Sequence, residues 1–235
     1  MLVDVCGRYV STTPPDVLAA QFGVDEIVGE DVGRPRWNVA PTDPVPAVSQ
    51  TSQGVRRLGT LRWGLLPSFV PDPSGAAKRI NARSETVATS PAFRGAFLRR
   101  RCILPADGFY EWDRDKQPWF ITRADGLPLA MAGIWESWHG PEALVIRTCA
   151  VITTAANPLV SAVHARMPVI LDRDAYEPWL DRGRPGSELA DLLRPAPDDL
   201  LVRYAVTTRV NSVRNDGPEL LEPGSIERPV PLTLL

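Results

Sequence analysis

Proline interrupts this chain too often for long helices to form. The 235 residues include 24 prolines, about twice ordinary usage. Each fixes φ and removes a backbone donor, so turns, extended segments and short helices are favoured. Thr12-Thr13-Pro14-Pro15 leading into Asp16–Ala20 predicts a capped short helix with proline in its first turn. A second helix is expected from Ser90-Pro91 to about Arg100, with Phe93 and Phe97 on its inner face. A third is expected after Asn157-Pro158, leading to His164, and a fourth over Ser187–Leu193.

Strands are predicted over Arg36–Ala40, Leu58–Leu65, Leu129–Trp138, Leu144–Thr154 and Val202–Val210. Another strand-rich stretch begins at Cys102, and Phe109–Asp113 with Trp119–Arg123 reads as a hairpin around residues 114–117. Central strands with short peripheral helices indicate α+β architecture: one domain over residues 6–235, built on a strongly curved, mainly antiparallel, barrel-like sheet. Apolar content of 44% suits a single sizeable core.

No apolar run approaches the roughly 20 residues of a membrane span, and the opening residues lack the pattern of a secretory leader. Three cysteines suit a reducing compartment better than a disulfide framework, so a cytoplasmic location is expected. Cys102 and Cys149 sit in apolar strand patterns and read as core. No Cys or His spacing resembles a metal site, and no phosphate-loop or dinucleotide fingerprint is present, so neither metal nor cofactor is expected. The net charge of −2 argues against a general nucleic-acid coat. Its distribution is uneven: from Arg56 to Arg101 ten basic residues face two acidic ones. That strip is either a local anion-binding groove or an Arg-rich solvated surface.

Five short stretches concentrate chemistry-bearing residues. They are Cys6-Gly7-Arg8-Tyr9, then Trp37-Asn38-Val39-Ala40-Pro41-Thr42, then Asn81-Ala82-Arg83-Ser84-Glu85-Thr86 preceded by Arg62-Trp63-Gly64-Leu65-Leu66-Pro67, then Gly108-Phe109-Tyr110-Glu111-Trp112, and His164-Ala165-Arg166-Met167-Pro168. In that order they resemble the SOS response-associated peptidase family of abasic-site processing proteins, over most of the chain from Cys6 to about Val210. The resemblance implies a protein that cross-links covalently to abasic sites in single-stranded DNA; a monomer is expected. It implies a nucleophile at Cys6, made N-terminal by removal of what precedes it, with Asn81, Glu111 and His164 completing the catalytic set. It places DNA contacts at Arg8, Pro41, Arg83 and Arg166, and a base-stacking or wedge role at Trp63.

A cysteine with a free α-amine is a 1,2-aminothiol. It condenses with an aldehyde to an imine, and its thiol then closes a five-membered thiazolidine ring. An internal cysteine cannot do this. Family members typically begin Met-Cys, whereas Met1–Val5 precede Cys6 here. Either Val5 is the true initiator, or the protein removes its own prefix, or the chain as written is inactive. Two other functions compete: a thiol peptidase using Cys6 and His164 on external peptides, and a non-covalent single-strand-binding module.

Overall fold

A computed structural model of the chain describes residues 7–224. Cys6 and the 1–5 segment lie outside them. The strands are β1 (Arg8–Ser11), β2 (Glu26–Ile27), β3 (Arg36–Val39), β4 (Pro44–Gln50), β5 (Arg56–Trp63), β6 (Asn81–Arg83), β7 (Arg101–Ala106), β8 (Gly108–Trp112), β9 (Pro118–Arg123), β10 (Leu129–His139), β11 (Val145–Ala155), β12 (Arg166–Pro168) and β13 (Leu201–Ala205). Four short helices lie among them: α1 (Pro15–Phe22), α2 (Arg94–Arg99), α3 (Pro158–Ser161) and α4 (Tyr176–Leu180).

The strands form two sheets rather than one. Strands β11-β10-β7-β4-β5 close into a five-stranded barrel, because β5 also pairs with β11. Strands β13-β9-β8-β1-β3 form the second sheet, and β2, β6 and β12 extend the rim of the barrel. Most pairings are antiparallel. The seam is parallel: Thr148 pairs with Arg62 and Cys149 with Trp63. Such closure removes two sheet edges that would otherwise expose unpaired backbone groups.

Period-2 alternation explains how the barrel fills. Val45 and Ala47 of β4, Leu61 and Trp63 of β5, Cys102 and Leu104 of β7, Met131 of β10, and Cys149 and Val151 of β11 share one core cluster inside it. A second cluster lies outside the barrel, where α1, α2 and α4 contribute Leu18, Phe22, Phe97 and Trp179. The expected core roles of Cys102 and Cys149 hold: both are fully buried free thiols. Burial pushes both thiols up, Cys102 with a smaller push from Cys149. Neither is a reactive thiolate.

Several local expectations need correction. The predicted helix from Ser90 begins only at Arg94, after a run of turns. Thr12 and Thr13 do not cap α1, whose N-cap is Pro14. Their hydroxyls donate instead to the Asp107 carboxylate, 95 and 94 residues away, tying the helix entry to the β7–β8 corner. The Ser187–Leu193 segment is a 3₁₀ helix over Gly186–Leu192, and the last strand stops at Ala205. Strand β4 was masked in the sequence by Pro44 and Pro46. Both lie in the half of β4 that pairs only with β5, and the ladder to β7 begins at Val48. Proline is tolerated where only one neighbour demands hydrogen bonds.

The basic strip is not one groove. Arg56 bonds the Phe22 carbonyl, Arg100 pairs with Glu136, and Arg101 is 2% exposed with its guanidinium on the carbonyls of Phe97, Leu98, Trp179, Asp181 and Arg184. Arg101 is therefore a structural pin, not part of a solvated surface.

Gly64 ends β5 at the seam. Its N–H donates to the Cys149 carbonyl at 2.8 Å. Its φ is +127°, and an added Cβ would stand 2.6 Å from the Ala76 carbonyl oxygen. Gly64→Ala therefore strains the backbone and drives a methyl into a peptide oxygen. We expect it to lower unfolding free energy by about 2 kcal/mol or more, read as the midpoint of urea denaturation. A midpoint within error of the parent chain would refute the tightness of the seam.

Candidate active site

Where the second sheet meets the open end of the barrel, a hollow of about 560 Å³ is lined by Gly7, Arg8, Pro41, Glu111, Trp112 and His164, with Asp113, Lys116, Asn211 and Val213 at its edge. Five separate segments supply these residues, so the hollow exists only in the folded chain. Gly7, the residue covalently bonded to Cys6, is in the lining.

Strand β8 delivers Glu111 opposite Trp119 of β9. The residue is 2% exposed yet borders the hollow, so a carboxyl is held at a wall with little water behind it. Helix α3 delivers His164. Asn157 caps this helix by accepting the Val160 N–H at 3.0 Å, as the sequence predicts. The helix stops after one turn, and the His164 N–H bonds the Val160 carbonyl. The imidazole Nδ1 accepts the backbone N–H of Arg166 at 3.1 Å. In the neutral ring the proton therefore sits on Nε2, which is left as a donor.

Pro41 comes from a loop fixed by Asp43, whose Oδ2 accepts from the Ala40 N–H and from Arg36, both at 2.9 Å. Thr42 in this loop has φ +77°, a conformation that β-branched residues rarely adopt. Strain of this kind persists only where surrounding bonds impose it.

Arg8 is bound inward. Its Nη1 donates to Asn38 Oδ1 at 2.8 Å and to the Val210 carbonyl at 2.9 Å, and the guanidinium stands 6.0 Å from the Trp112 ring centroid. Burial lowers its pKa, partly offset by Asp43 and Tyr110. Its Nη1 is thus taken by protein acceptors, while the residue still lines the hollow. Asn38, fully buried, completes the same strap. Its amide donates to the carbonyls of Val210, Ser212 and Asn215 at 3.2, 3.0 and 2.9 Å. Asp216 returns the tie by accepting the backbone N–H groups of Trp37 and Asn38. This network lays the 208–216 segment against β1 and β3, and that segment contributes Asn211 and Val213 to the hollow.

The base-stacking role expected of Trp63 requires correction. It is 0% exposed, donates from Nε1 to the Ile80 carbonyl at 3.0 Å, and meets Tyr9 edge-on at 5.1 Å between centroids. A base cannot reach it without opening the core. The aromatic wall of the hollow is Trp112, half-buried and anchored from Nε1 to Asn211 Oδ1 at 2.7 Å. The Gly108–Trp112 motif contains that residue, but only the contact with Asn211, 99 positions away, singles it out.

Asn81, Arg83 and Arg166 are not in the lining. They flank it through β11. Asn81 pairs with Val151, Arg83 with Thr153 and Arg166 with Ala155, so both arginines stand on strands beside the same stretch of β11. Arg83 is exposed and makes no side-chain hydrogen bond or ion pair among the described residues. Arg166 grips Glu85 bidentately, with both N–O distances 2.9 Å. That ion pair holds the Glu85 carboxyl below the usual range. Among the described residues, no group of His, Cys, Asp or Glu side chains is arranged to hold a metal, and no helix is long and apolar enough to cross a membrane.

The chain is similar to proteins named for abasic-site processing. It is 38% identical to the abasic site processing protein YoqW of Bacillus subtilis over 93% of this chain and 99% of the relative. It is 32% identical to YedK of Escherichia coli, covering 93% and 100% of the two chains. With the abasic site processing protein HMCES of Gallus gallus it shares 38% identity over 84% of this chain and 68% of the relative. A crystal structure of a Bordetella bronchiseptica protein superposes with a TM-score of 0.73 at 30% identity, covering 86% of this chain and all of that one. A Bacteroides thetaiotaomicron structure reaches 0.81 at 24% identity, covering 93% and 100%, a likeness of fold. The family model for SOS response associated peptidase matches residues 5–213, and the chain belongs to that family.

Proposed function

We propose that this chain processes abasic sites in single-stranded DNA by trapping the ring-opened sugar covalently at Cys6, as part of a DNA damage response. The relatives named above are abasic site processing proteins. The observation that carries the chemistry is the hollow itself: it gathers Glu111, His164 and the backbone of Gly7, the residue bonded to Cys6. Of the three cysteines, the two inside the barrel are inert, which leaves Cys6 as the candidate nucleophile.

The reading requires Cys6 to carry a free α-amine, so the 1–5 prefix must be absent from the working protein or removed by it. An α-amine has a pKa of about 7.7–8.0, and a useful fraction is neutral at physiological pH. It adds to the aldehyde carbon, and loss of water gives a Schiff base. The Cys6 thiolate then adds to the imine carbon, the nitrogen takes a proton, and the thiazolidine closes. Glu111 moves protons at the amine and the carbinolamine. The Nε2–H of His164 supplies a proton to the sugar ring oxygen during opening. Asn81 orients the amine or the sugar hydroxyl from β6. The Schiff base also acidifies the neighbouring C–H, which permits strand cleavage by β-elimination as a side reaction.

An abasic nucleotide has no base to unstack, so drawing it into the hollow costs less than flipping an intact one. Trp112 offers the flanking base an aromatic face, and Arg83 is free to meet a phosphate. Arg166 can do so only by releasing Glu85, whose carboxylate stands where a phosphate would bind.

One denaturing gel tests the central claim. Chain beginning at Cys6 is expected to give a shifted band with an abasic strand and none with the same strand carrying uracil, and Cys6→Ser should abolish the shift. An adduct formed by protein whose intact mass still includes Met1 would refute the thiazolidine, because such a chain has no amine on Cys6. His164→Ala and Glu111→Gln are expected to slow adduct formation by about 10²-fold while affinity for the uracil strand stays within twofold. Equal loss of both would make these residues binding groups instead. Glu85→Gln should tighten single-strand binding by roughly two- to fivefold, the size of an exposed ion pair. Weaker binding would mean that Glu85 positions Arg166 rather than competing for it.

A further inference from the structure

The barrel has a second mouth, at the end away from the hollow just described. Pro41 of that hollow precedes β4, and Ser49 and Gln50 at the far mouth finish it. The two openings are thus separated by the length of a seven-residue strand, on the order of 20 Å.

The inner face of the barrel changes character towards this end. Along β5 the inward positions run Trp63, Leu61, Gly59, Arg57, and along β4 they run Val45, Ala47, Ser49. Across β10 and β11, Trp135 pairs with Cys149, and Ser137 with Arg147. Cys149 is inside the core, so Trp135 and Arg147 stand on the same inner face one step further out. The bore is packed solid below them, where a Cβ on Gly133 would meet Cys102 Sγ at 2.9 Å. Above that plug is an open hollow of about 470 Å³ lined by Ser49, Arg57, Gly59, Trp135, Arg147 and Arg182, among others, with no carboxylate in the lining.

Several features make this more than a solvated rim. Arg147 and Arg182 are exposed, and neither side chain has a hydrogen bond or ion pair among the described residues. Arg57 has one counter-charge, Glu26, outside the lining. The Arg182 turn is held from beneath by buried Arg101, which bonds the carbonyls of Asp181 and Arg184 on either side of it. Gly59 is not required by packing or by backbone conformation, since an added Cβ would meet nothing nearer than the Val28 carbonyl at 3.6 Å. Its lack of a side chain leaves the mouth clear. Trp135 rests on the barrel core while remaining part-exposed. A flat aromatic surface ringed by arginines and hydroxyl or amide side chains combines stacking with phosphate contact, the two means by which unpaired nucleic acid is held without sequence preference.

We propose that this far mouth binds an unpaired, undamaged stretch of nucleic acid, with one base stacked on Trp135 and phosphates on Arg147 and Arg182. The site makes no covalent bond and needs no abasic sugar. It would hold a strand at a distance from the reactive hollow, and it stands whether or not Cys6 traps an aldehyde.

The test uses the chain beginning at Cys6, as in the gel above, and a fluorescein-labelled thymidine 25-mer, read by anisotropy over a salt series. The Arg147→Gln/Arg182→Gln double variant is expected to bind about tenfold more weakly at low salt. Its plot of log affinity against log salt should be shallower by about 1.4, the slope of two single-strand phosphate contacts. Trp135→Ala should weaken binding about tenfold without changing that slope. The double variant removes only exposed side chains, so it reports on the site even if Trp135→Ala disturbs the core. Adduct yield on a pentanucleotide with its abasic site at the centre, whose two-nucleotide flanks are too short to reach the far mouth, should be unchanged in all variants. Unaltered affinity and slope in the double variant would overturn the proposal. So would displacement of the 25-mer by a polyglutamate of matched charge as readily as by unlabelled thymidine strand, because the mouth would then be a general polyanion site. Failure of the covalent reading appears separately, as a wild-type chain that leaves the pentanucleotide unshifted.

Discussion

The closing pair of β5 and β11 organises everything else in this molecule. Two residue pairs, Thr148 with Arg62 and Cys149 with Trp63, turn a curved sheet into a barrel. Trp63 lies at that seam with its ring sealed inside and its N–H on the Ile80 carbonyl. Gly64 follows at once, turning the chain out through a conformation that side chains rarely adopt. Once the ring is closed, two ends are defined, each edged by different loops. One end receives Pro41, His164 and the second sheet. The other receives the β4–β5 hairpin and the Arg182 turn.

The reactive end is held by polar ties of very long sequence separation. Arg8 and Asn38 reach across 172–203 positions to the carbonyls of the 210–215 segment. Buried donors with charged or carbonyl acceptors lose heavily when one partner is removed, so this strap is stiff. It also explains why arginines of the recognised motifs are less available than their spacing implies. Arg8 is a tie, Arg166 is engaged with Glu85, and Arg83 is the one of these three whose side chain is free among the described residues. Ion pairs and buried guanidiniums use up much of the charge that the linear sequence places between Arg56 and Arg101.

Strand and helix positions were legible where local chemistry decides them. The hairpin at 114–117 follows from Asp113, which accepts the N–H groups of Asp115 and Gln117 and the Trp119 indole. The α3 cap follows from Asn157 and Pro158. Legibility failed where a distant partner overrides a local signal. Thr12 and Thr13 look like caps but are taken by Asp107. Pro44 and Pro46 look like breakers but lie where β4 has one neighbour. Trp63 looks like a recognition residue because tryptophan in a Gly-Leu-Leu-Pro context could face either way, and only burial decides between them.

The sequence by itself determined the α+β class, the family, the inert core cysteines, and the presence of Glu111 and His164 in motifs able to do acid–base chemistry. These rest on residue identity and short-range pattern, which the linear chain carries in full. Tertiary structure alone decided which arginines remain free, that Trp112 rather than Trp63 faces the hollow, and that Trp135 lines the opposite mouth with Arg147 and Arg182. The physical reason is the same in each case. Exposure and pairing are properties of which side of a closed barrel a residue falls on, and that closure joins segments more than eighty residues apart.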